Sequence, residues 1–240
     1  RWRIEVHKRT GESVATFIEH IGSEIILRPY QFCNLTEVVI RSTDTEQDLE
    51  RKIAIATILG TLQATYTKFP YLRQVWQDNT DEERLLGVSL TGIMDNPLTT
   101  TANPELPALL ERLREVSVMV NKEWAGKLGI KQSTAITAVK PSGTVSQLVN
   151  SASGIHARHS EYYIRTVRGA FNDPLTQFMK DQGIPWEPCA HQPDTTVVFS
   201  FPQKSPKEAV LTENTTAIEQ LDTWLAYQRH YCEHKPSVTI

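Results

Sequence analysis

Two long stretches whose apolar residues recur every three to four positions alternate with short apolar runs, and this alternation restricts the folds open to the chain. Along Asp48–Phe69, Leu49, Ile53, Ala56, Leu59, Leu62 and Tyr66 share one side, which predicts an amphipathic helix ended before Pro70. From about Glu105 to Lys127 the same holds for Leu109, Leu113, Val116, Val120 and Trp124, with Gly129 as a stop. Around these helices, Glu24–Leu27, Val38–Arg41, Leu86–Leu90, Thr134–Val139 and Thr195–Phe201, the last bounded by Pro202, read as strands. Thr215–Cys232 reads as a further helix carrying Ile218, Leu221, Leu225 and Tyr231. Strands that alternate with helices predict an α/β architecture with mostly parallel strands.

With 240 residues, 40% of them hydrophobic, the chain can bury the core of one or two domains. Residues 1–21 stand apart: Trp2, Ile4 and Val6 alternate with polar neighbours, then Lys8–Gly11 turns into Ser13–Ile18, which suggests a β-hairpin. At the other end, Ser237–Ile240 looks like a strand that begins and stops, so the polypeptide is expected to continue.

A net charge of −3 gives no global attraction for nucleic acid or an anionic membrane. No apolar run is long enough to span a bilayer, and residues 1–20 lack the apolar core of a signal peptide, so a cytoplasmic protein without membrane or nucleic-acid partners is expected. A small phosphorylated substrate needs only a pocket. The three cysteines, Cys33, Cys189 and Cys232, are widely spaced and odd in number, which fits neither a disulfide scaffold nor a close metal site.

Two segments carry chemistry. Lys140-Pro141-Ser142-Gly143-Thr144-Val145-Ser146 directly follows a predicted strand: Gly143 lets backbone approach an anion, Ser142, Thr144 and Ser146 offer hydroxyls, and a helix starting near Gln147 would aim free N–H groups at phosphates. The GxxxxGK[ST] pattern is absent, and an ordinary strand-to-helix turn is the alternative. Beyond it, His156, Arg158, His159, Arg165 and Arg168 offer either a cationic rim or a solvated basic face. These histidines lack partners at metal-ligand spacing, so no protein-bound metal is expected. The second segment is Gly22–Glu37, where Glu24 stands nine residues before Cys33 across a predicted strand and turn, a layout suited to a reaction centre.

Together, GSEIILRPYQFCNLTE (22–37), GVSLTGIMD (87–95), the PSGTVS loop with its sequel SASGIHARHSEYYIRTVR (151–168) and the terminal KPSVTI resemble class II, adenosylcobalamin-dependent ribonucleotide reductases, especially the monomeric ribonucleoside-triphosphate reductases. The resemblance implies that residues 22–240 are part of a ten-stranded α/β barrel with adenosylcobalamin as cofactor and a ribonucleoside triphosphate as substrate. It places the phosphates on Ser142, Gly143, Thr144, Val145 and Ser146. In that family a cysteine thiyl radical takes the ribose 3′ hydrogen, a glutamate matched here by Glu24 handles the 3′ hydroxyl proton, and two thiols, one matched by Cys33, reduce the 2′ carbon. Thioredoxin re-reduces the thiols through a C-terminal cysteine pair that this chain lacks.

The chain departs from the pattern at the radical position, which is Gly22, and at His20, where an asparagine is expected. No cysteine precedes Cys33 to act as its partner thiol. Two alternatives therefore accompany the reductase reading: an incomplete or split piece that only binds a phosphorylated ligand, and an unrelated α/β phosphate-binding module. An incomplete barrel is also expected to leave strand edges and apolar faces uncovered.

Overall fold

The structure is a computed structural model that describes residues 24, 25 and 27–240, the Thr144 side chain apart, together with the backbone of two strands near the start. These are β1 (Trp2–Val6) and β2 (Ser13–Phe17), paired antiparallel with Trp2 opposite Phe17. Gly22 and His20 lie outside the described residues. Two compact units follow from the contacts, residues 1–158 with 208–240, and residues 159–207.

In the larger unit, β3 (Asn34–Val39) runs parallel to β4 (Leu86–Thr91), from Asn34 opposite Leu86 to Val39 opposite Thr91. Parallel bridges from Val88 to Thr137 and from Val139 to Pro236 extend this order by two further extended segments. Every residue of β4 is buried, as befits a parallel strand covered on both faces. The expected Thr134–Val139 strand is reduced to these bridges, and at Ile136 a side chain replaces a ladder partner. The Ile136 N–H donates to the Glu233 carboxylate at 2.8 Å, and the Thr137 hydroxyl accepts from the Glu233 N–H at 3.0 Å.

The helix α1 (Glu46–Gln63) starts with a capping box in which the Thr45 hydroxyl accepts from the Asp48 N–H and the Asp48 carboxylate accepts from the Thr45 N–H. It stops short of Phe69, and the Arg84 guanidinium donates to the Ala64 carbonyl, one of the acceptors freed where the helix ends. Its buried face is Leu49, Ile53, Ala56 and Gly60 rather than the expected Leu59, Leu62 and Tyr66, which are exposed. Gly60 faces β4, where a Cβ would lie 3.4 Å from the Leu86 side chain, so this side of the helix packs on the strand.

The helix α2 (Gln74–Glu83) precedes β4, and α3 (Leu106–Leu128) follows it. Gly129, at φ 66°, closes α3 in the left-handed conformation that glycine adopts without steric cost. The first half of α3 buries Leu106, Leu109, Leu110 and Leu113; its second half buries Ser117 and Asn121 instead of Val120. The Asn121 amide donates to the hydroxyls of Thr61 at 2.9 Å and Ser133 at 3.0 Å and accepts from the Ser133 N–H at 2.9 Å, so a fully satisfied polar network ties α1 to α3. After the short α4 (Thr144–Leu148), the chain leaves this unit and returns to it for α6 (Ala217–His230), which Thr216 and Glu219 cap reciprocally.

The smaller unit is antiparallel. Its sheet has the order β5 (Tyr162–Ala170), β7 (Thr196–Lys204), β6 (Trp186–Pro188), with α5 (Pro174–Asp181) capped by Asp173. β7 does not end before Pro202 as expected but runs through it, opposite Ile164. β6 pairs β7 only at Val197–Phe199, so at Pro202 the strand has one neighbour and the missing N–H costs no ladder bond on the open side. No helix among the described residues is long and apolar enough to cross a membrane.

Candidate active site

Glu24 and Ile25 form a bend, not the start of the expected strand, and its place is fixed from three sides. The Glu24 carbonyl accepts from the Lys235 N–H at 3.0 Å. Ile25 lies over β4 at Gly87, where a Cβ would come within 2.6 Å of its side chain. The Glu24 carboxylate, 5% exposed, accepts from the Lys140 ammonium at 3.2 Å. Burial opposes ionisation of Glu24, but hydrogen bonds from the Ser237 hydroxyl and its own backbone amide, together with the Lys140 charge, outweigh it and hold the carboxyl below its ordinary range.

A depressed folded-state value means that ionised Glu24 contributes stability above the ordinary carboxylate value of 4.5, and that this contribution is lost as pH falls through the lower folded value. Thermal melts across the acid range are therefore expected to show the stability gap between wild type and Glu24→Gln shrinking as pH drops. A gap that stays constant would mean that the carboxylate is not stabilised in the folded state.

Between Glu24 and Cys33 the chain is latched to α2. Arg28 pairs with Glu82 at 2.8 Å, the Gln31 amide donates to the Asn79 carbonyl at 3.2 Å and to the Glu83 carboxylate, and the Asn79 amide donates to the Pro29 carbonyl at 3.0 Å. Tyr30 is held at φ 62°, a left-handed conformation uncommon for an aromatic residue, and Phe32 stacks on Trp76 with 4.6 Å between ring centroids. These contacts deliver Cys33, half-buried, to the start of β3. Burial pushes its thiol up, with the Lys140 charge partly offsetting the rise, so Cys33 is a neutral S–H rather than a thiolate.

Lys140 therefore acts on both groups, although the sequence pointed to Glu24 and Cys33 and not to it. The available signal was its position at the head of the PSGTVS loop. There α4 begins at Thr144, ahead of the expected Gln147, and spans five residues. Ser142 and Ser146 are buried, and their hydroxyls hold the loop closed: that of Ser142 accepts from the Ser146 N–H at 3.1 Å, and that of Ser146 donates to the Ser142 carbonyl. Gly143 and Val145 form the exposed surface. Gly143 has φ −81° and nothing within 4 Å of where a Cβ would stand, so neither backbone conformation nor packing requires glycine there.

The loop rests on residues 151–154. The Ser153 hydroxyl donates to the Ser142 carbonyl at 2.5 Å, and Gly154, at φ 54°, passes so close beneath Lys140 that a Cβ would stand 3.0 Å from its carbonyl oxygen. That ledge is pinned by Asp95, whose carboxylate accepts from the Ala152 N–H at 2.8 Å and from Arg158 at 2.7 and 2.8 Å. Arg158 is 3% exposed and so is no part of a cationic rim. His156 is also tied up: its Nε2 accepts from the Thr239 N–H at 2.9 Å and its Nδ1 faces the Ser153 carbonyl at 3.1 Å. His159, Arg165 and Arg168 belong to the smaller unit.

No family model matches the chain. Three curated proteins, each named adenosylcobalamin-dependent ribonucleoside-triphosphate reductase, are similar to it: one from Euglena gracilis (29% identical, 89% of this chain), one from Lactobacillus gasseri (29%, 90%) and one from Lactobacillus leichmannii (27%, 90%). The chain resembles a segment of these reductases. It spans 29%, 32% and 33% of their respective lengths. A crystal structure of a B12-dependent (class II) ribonucleotide reductase superposes with a TM-score of 0.74 over 89% of this chain and 33% of that one at 24% identity, a likeness of fold. The likeness to these reductases thus extends over most of the chain, with Glu24, Cys33 and the Lys140–Ser146 loop inside its larger unit.

Proposed function

We propose that this chain is part of the catalytic core of an adenosylcobalamin-dependent ribonucleoside-triphosphate reductase, which converts ribonucleotides to deoxyribonucleotides for DNA synthesis. The observation that carries this reading is the ion pair between a buried carboxylate and the lysine at the head of an exposed glycine loop, in a chain similar to such reductases over 90% of its length. In this reading Glu24 accepts and returns the proton of the substrate 3′ hydroxyl. Cys33 is one of two thiols that become a disulfide while the 2′ hydroxyl leaves as water and hydrogen takes its place. Its S–H form suits that task, because a thiolate has no hydrogen to give. Ser142, Gly143, Thr144, Val145 and Ser146 hold the phosphate tail, with Ser142 and Ser146 shaping the loop and Gly143 admitting the anion to the backbone.

The parallel segments around β4 fit a part of the ten-stranded barrel, with residues 22–240 as the reductase-like region. Cobalamin supplies radical chemistry in the relatives. Two cavities, about 440 Å³ between β3 and α1 and about 230 Å³ beside the start of α6, are too small for a corrinoid, so the cofactor is proposed for the complete protein. Thioredoxin is the proposed reductant, and three free cysteines suit the reducing cytoplasm. Gly22 at the radical position favours a second reading, in which the chain binds nucleotide without completing the reaction on its own.

The loop assignment has a direct test. Gly143→Val places its side chain in open space at an ordinary φ, so folding is expected to survive while a phosphate tail is displaced. Calorimetric titration with a nucleoside triphosphate is expected to give an affinity at least about tenfold weaker than wild type, a change of roughly 1.4 kcal/mol. Equal affinities would remove the loop from the binding site.

A further inference from the structure

We propose that the open edge of β5 pairs with β5 of a second copy of this chain, antiparallel and two-fold about Thr166, so that two smaller units share one continuous sheet. The contact involves the smaller unit alone and goes beyond the reductase reading.

The backbone defines the edge. In an antiparallel strand the N–H and C=O of one residue point together to one neighbour, and those of the next residue to the other. Two flanking bonds fix the phase: the Phe171 N–H donates to the Thr195 carbonyl at 2.8 Å and the Ser205 N–H to the Glu161 carbonyl at 2.8 Å. In the same register, with Tyr162 opposite Lys204 and Ala170 opposite Thr196, the odd-numbered residues of β5 bond to β7 and the even-numbered ones turn both groups outward. Two outward carbonyls are taken within the chain, that of Tyr162 by the Ser160 hydroxyl at 2.7 Å and that of Ala170 by the Asp173 N–H at 3.1 Å. Ile164, Thr166 and Arg168 keep both backbone groups open, with no partner strand among the described residues. The opposite edge of the sheet is short, since β6 has three residues and ends in Pro188. β5 has nine residues, unbroken pairing to β7, no proline and an Ile164 side chain that is 69% exposed. A long, regular edge with exposed apolar side chains is a template for another strand.

Charge and hydrogen-bond phase select the register. Centred on Arg165 or on Arg168, a two-fold pairing would set that arginine directly against its own copy, and like charges directly opposite destabilise a ladder. Centred on Val167, it would pair Ile164 with Ala170, and centred on Ile164, Thr166 with Tyr162, in each case spending an open residue on a carbonyl already in use. Centred on Thr166, the three open residues meet one another. Thr166 faces the partner's Thr166 and Ile164 faces the partner's Arg168, each pair exchanging two hydrogen bonds. Arg165 then stands opposite the partner's Val167, so the stem of each arginine lies against an aliphatic side chain. The edge is therefore self-complementary, as an isologous two-fold contact requires, and this favours a second copy over an unrelated strand. One strand edge buries less than the roughly 1,200 Å² of stable interfaces, so the dimer is weak and reversible.

Sedimentation velocity of the full chain, under reducing conditions and from micromolar to millimolar concentration, is expected to show a monomer–dimer equilibrium. Thr166→Pro removes an outward N–H without touching the β5–β7 ladder and is expected to weaken dimerisation at least about tenfold, with circular dichroism to confirm folding. Should that variant fail to fold, substitutions at the exposed Ile164 decide. Ile164→Lys sets an ammonium against the partner's Arg168 and Ile164→Glu sets a carboxylate there, each twice by symmetry, so the Glu variant is expected to dimerise about tenfold more tightly than the Lys variant. A wild-type chain that stays monomeric throughout overturns the proposal, as does a dimer that folded Thr166→Pro leaves intact. Equal association of the two Ile164 variants also overturns it, because a contact made by apolar surface alone would not distinguish their charges.

Discussion

Asp95→Ala is expected to cost about 3–5 kcal/mol of stability, because it strands a buried guanidinium. The Arg158 and Asp95 side chains are 2% and 3% exposed, and two of the guanidinium nitrogens donate to the carboxylate. Arg158 also donates to the Asn150 side chain and carbonyl, both at 2.9 Å; those acceptors stay in place while the carboxylate paired with the guanidinium is removed. Thermal denaturation is expected to show a fall in melting temperature on the order of 10 °C. Adding Arg158→Met to Asp95→Ala is expected to recover part of the loss, since the double variant no longer buries an unpaired charge. A loss below about 1 kcal/mol in the single variant would show that the pair does not hold the ledge. The effect extends to the site, because Asp95 also fixes Ala152, and residues 151–154 carry the loop that begins at Lys140.

Gly92→Ala is expected to be comparably damaging, at about 3 kcal/mol or more, through backbone rather than charge. Gly92 sits at φ 79°, and a Cβ there would stand 2.4 Å from the Ile40 carbonyl oxygen. That oxygen belongs to the chain just after β3, so relief requires moving a core element rather than rotating a side chain. Gly129 provides the control: it is also left-handed, at φ 66°, but has nothing within 4 Å, so Gly129→Ala is expected to cost only the conformational penalty of about 1 kcal/mol. Chemical denaturation of the two variants separates the terms, and equal losses would rule out the close approach at Gly92.

Much of the secondary structure was legible because it follows from local pattern. The Gly129 stop, the strand at Leu86–Thr91 and the helix ending near Cys232 lie where the apolar spacing and the breakers place them. The faces were less legible. Leu59, Leu62 and Tyr66 share the three-to-four spacing of α1 yet are exposed, since Gly60 and Thr61 meet the core in their stead. A small or polar residue at a contact is indistinguishable in sequence from one at the surface, and only the neighbour it meets, Leu86 or Asn121, tells them apart. Likewise Arg158 reads as a surface cation until Asp95, far away in the sequence, is found against it.

By itself, the sequence indicated the α/β character of the larger unit and, through residue chemistry, short-range spacing and a family resemblance, the candidate groups Glu24, Cys33 and Ser142–Ser146, because these are local properties. Tertiary structure decided what these groups can do. It buried Glu24 and paired it with Lys140, raised the Cys33 thiol further by partial burial, and committed the Ser142 and Ser146 hydroxyls to closing the loop. Electrostatic environment depends on distance through space, and Glu24, Lys140 and Ser237 meet only once the parallel segments are side by side.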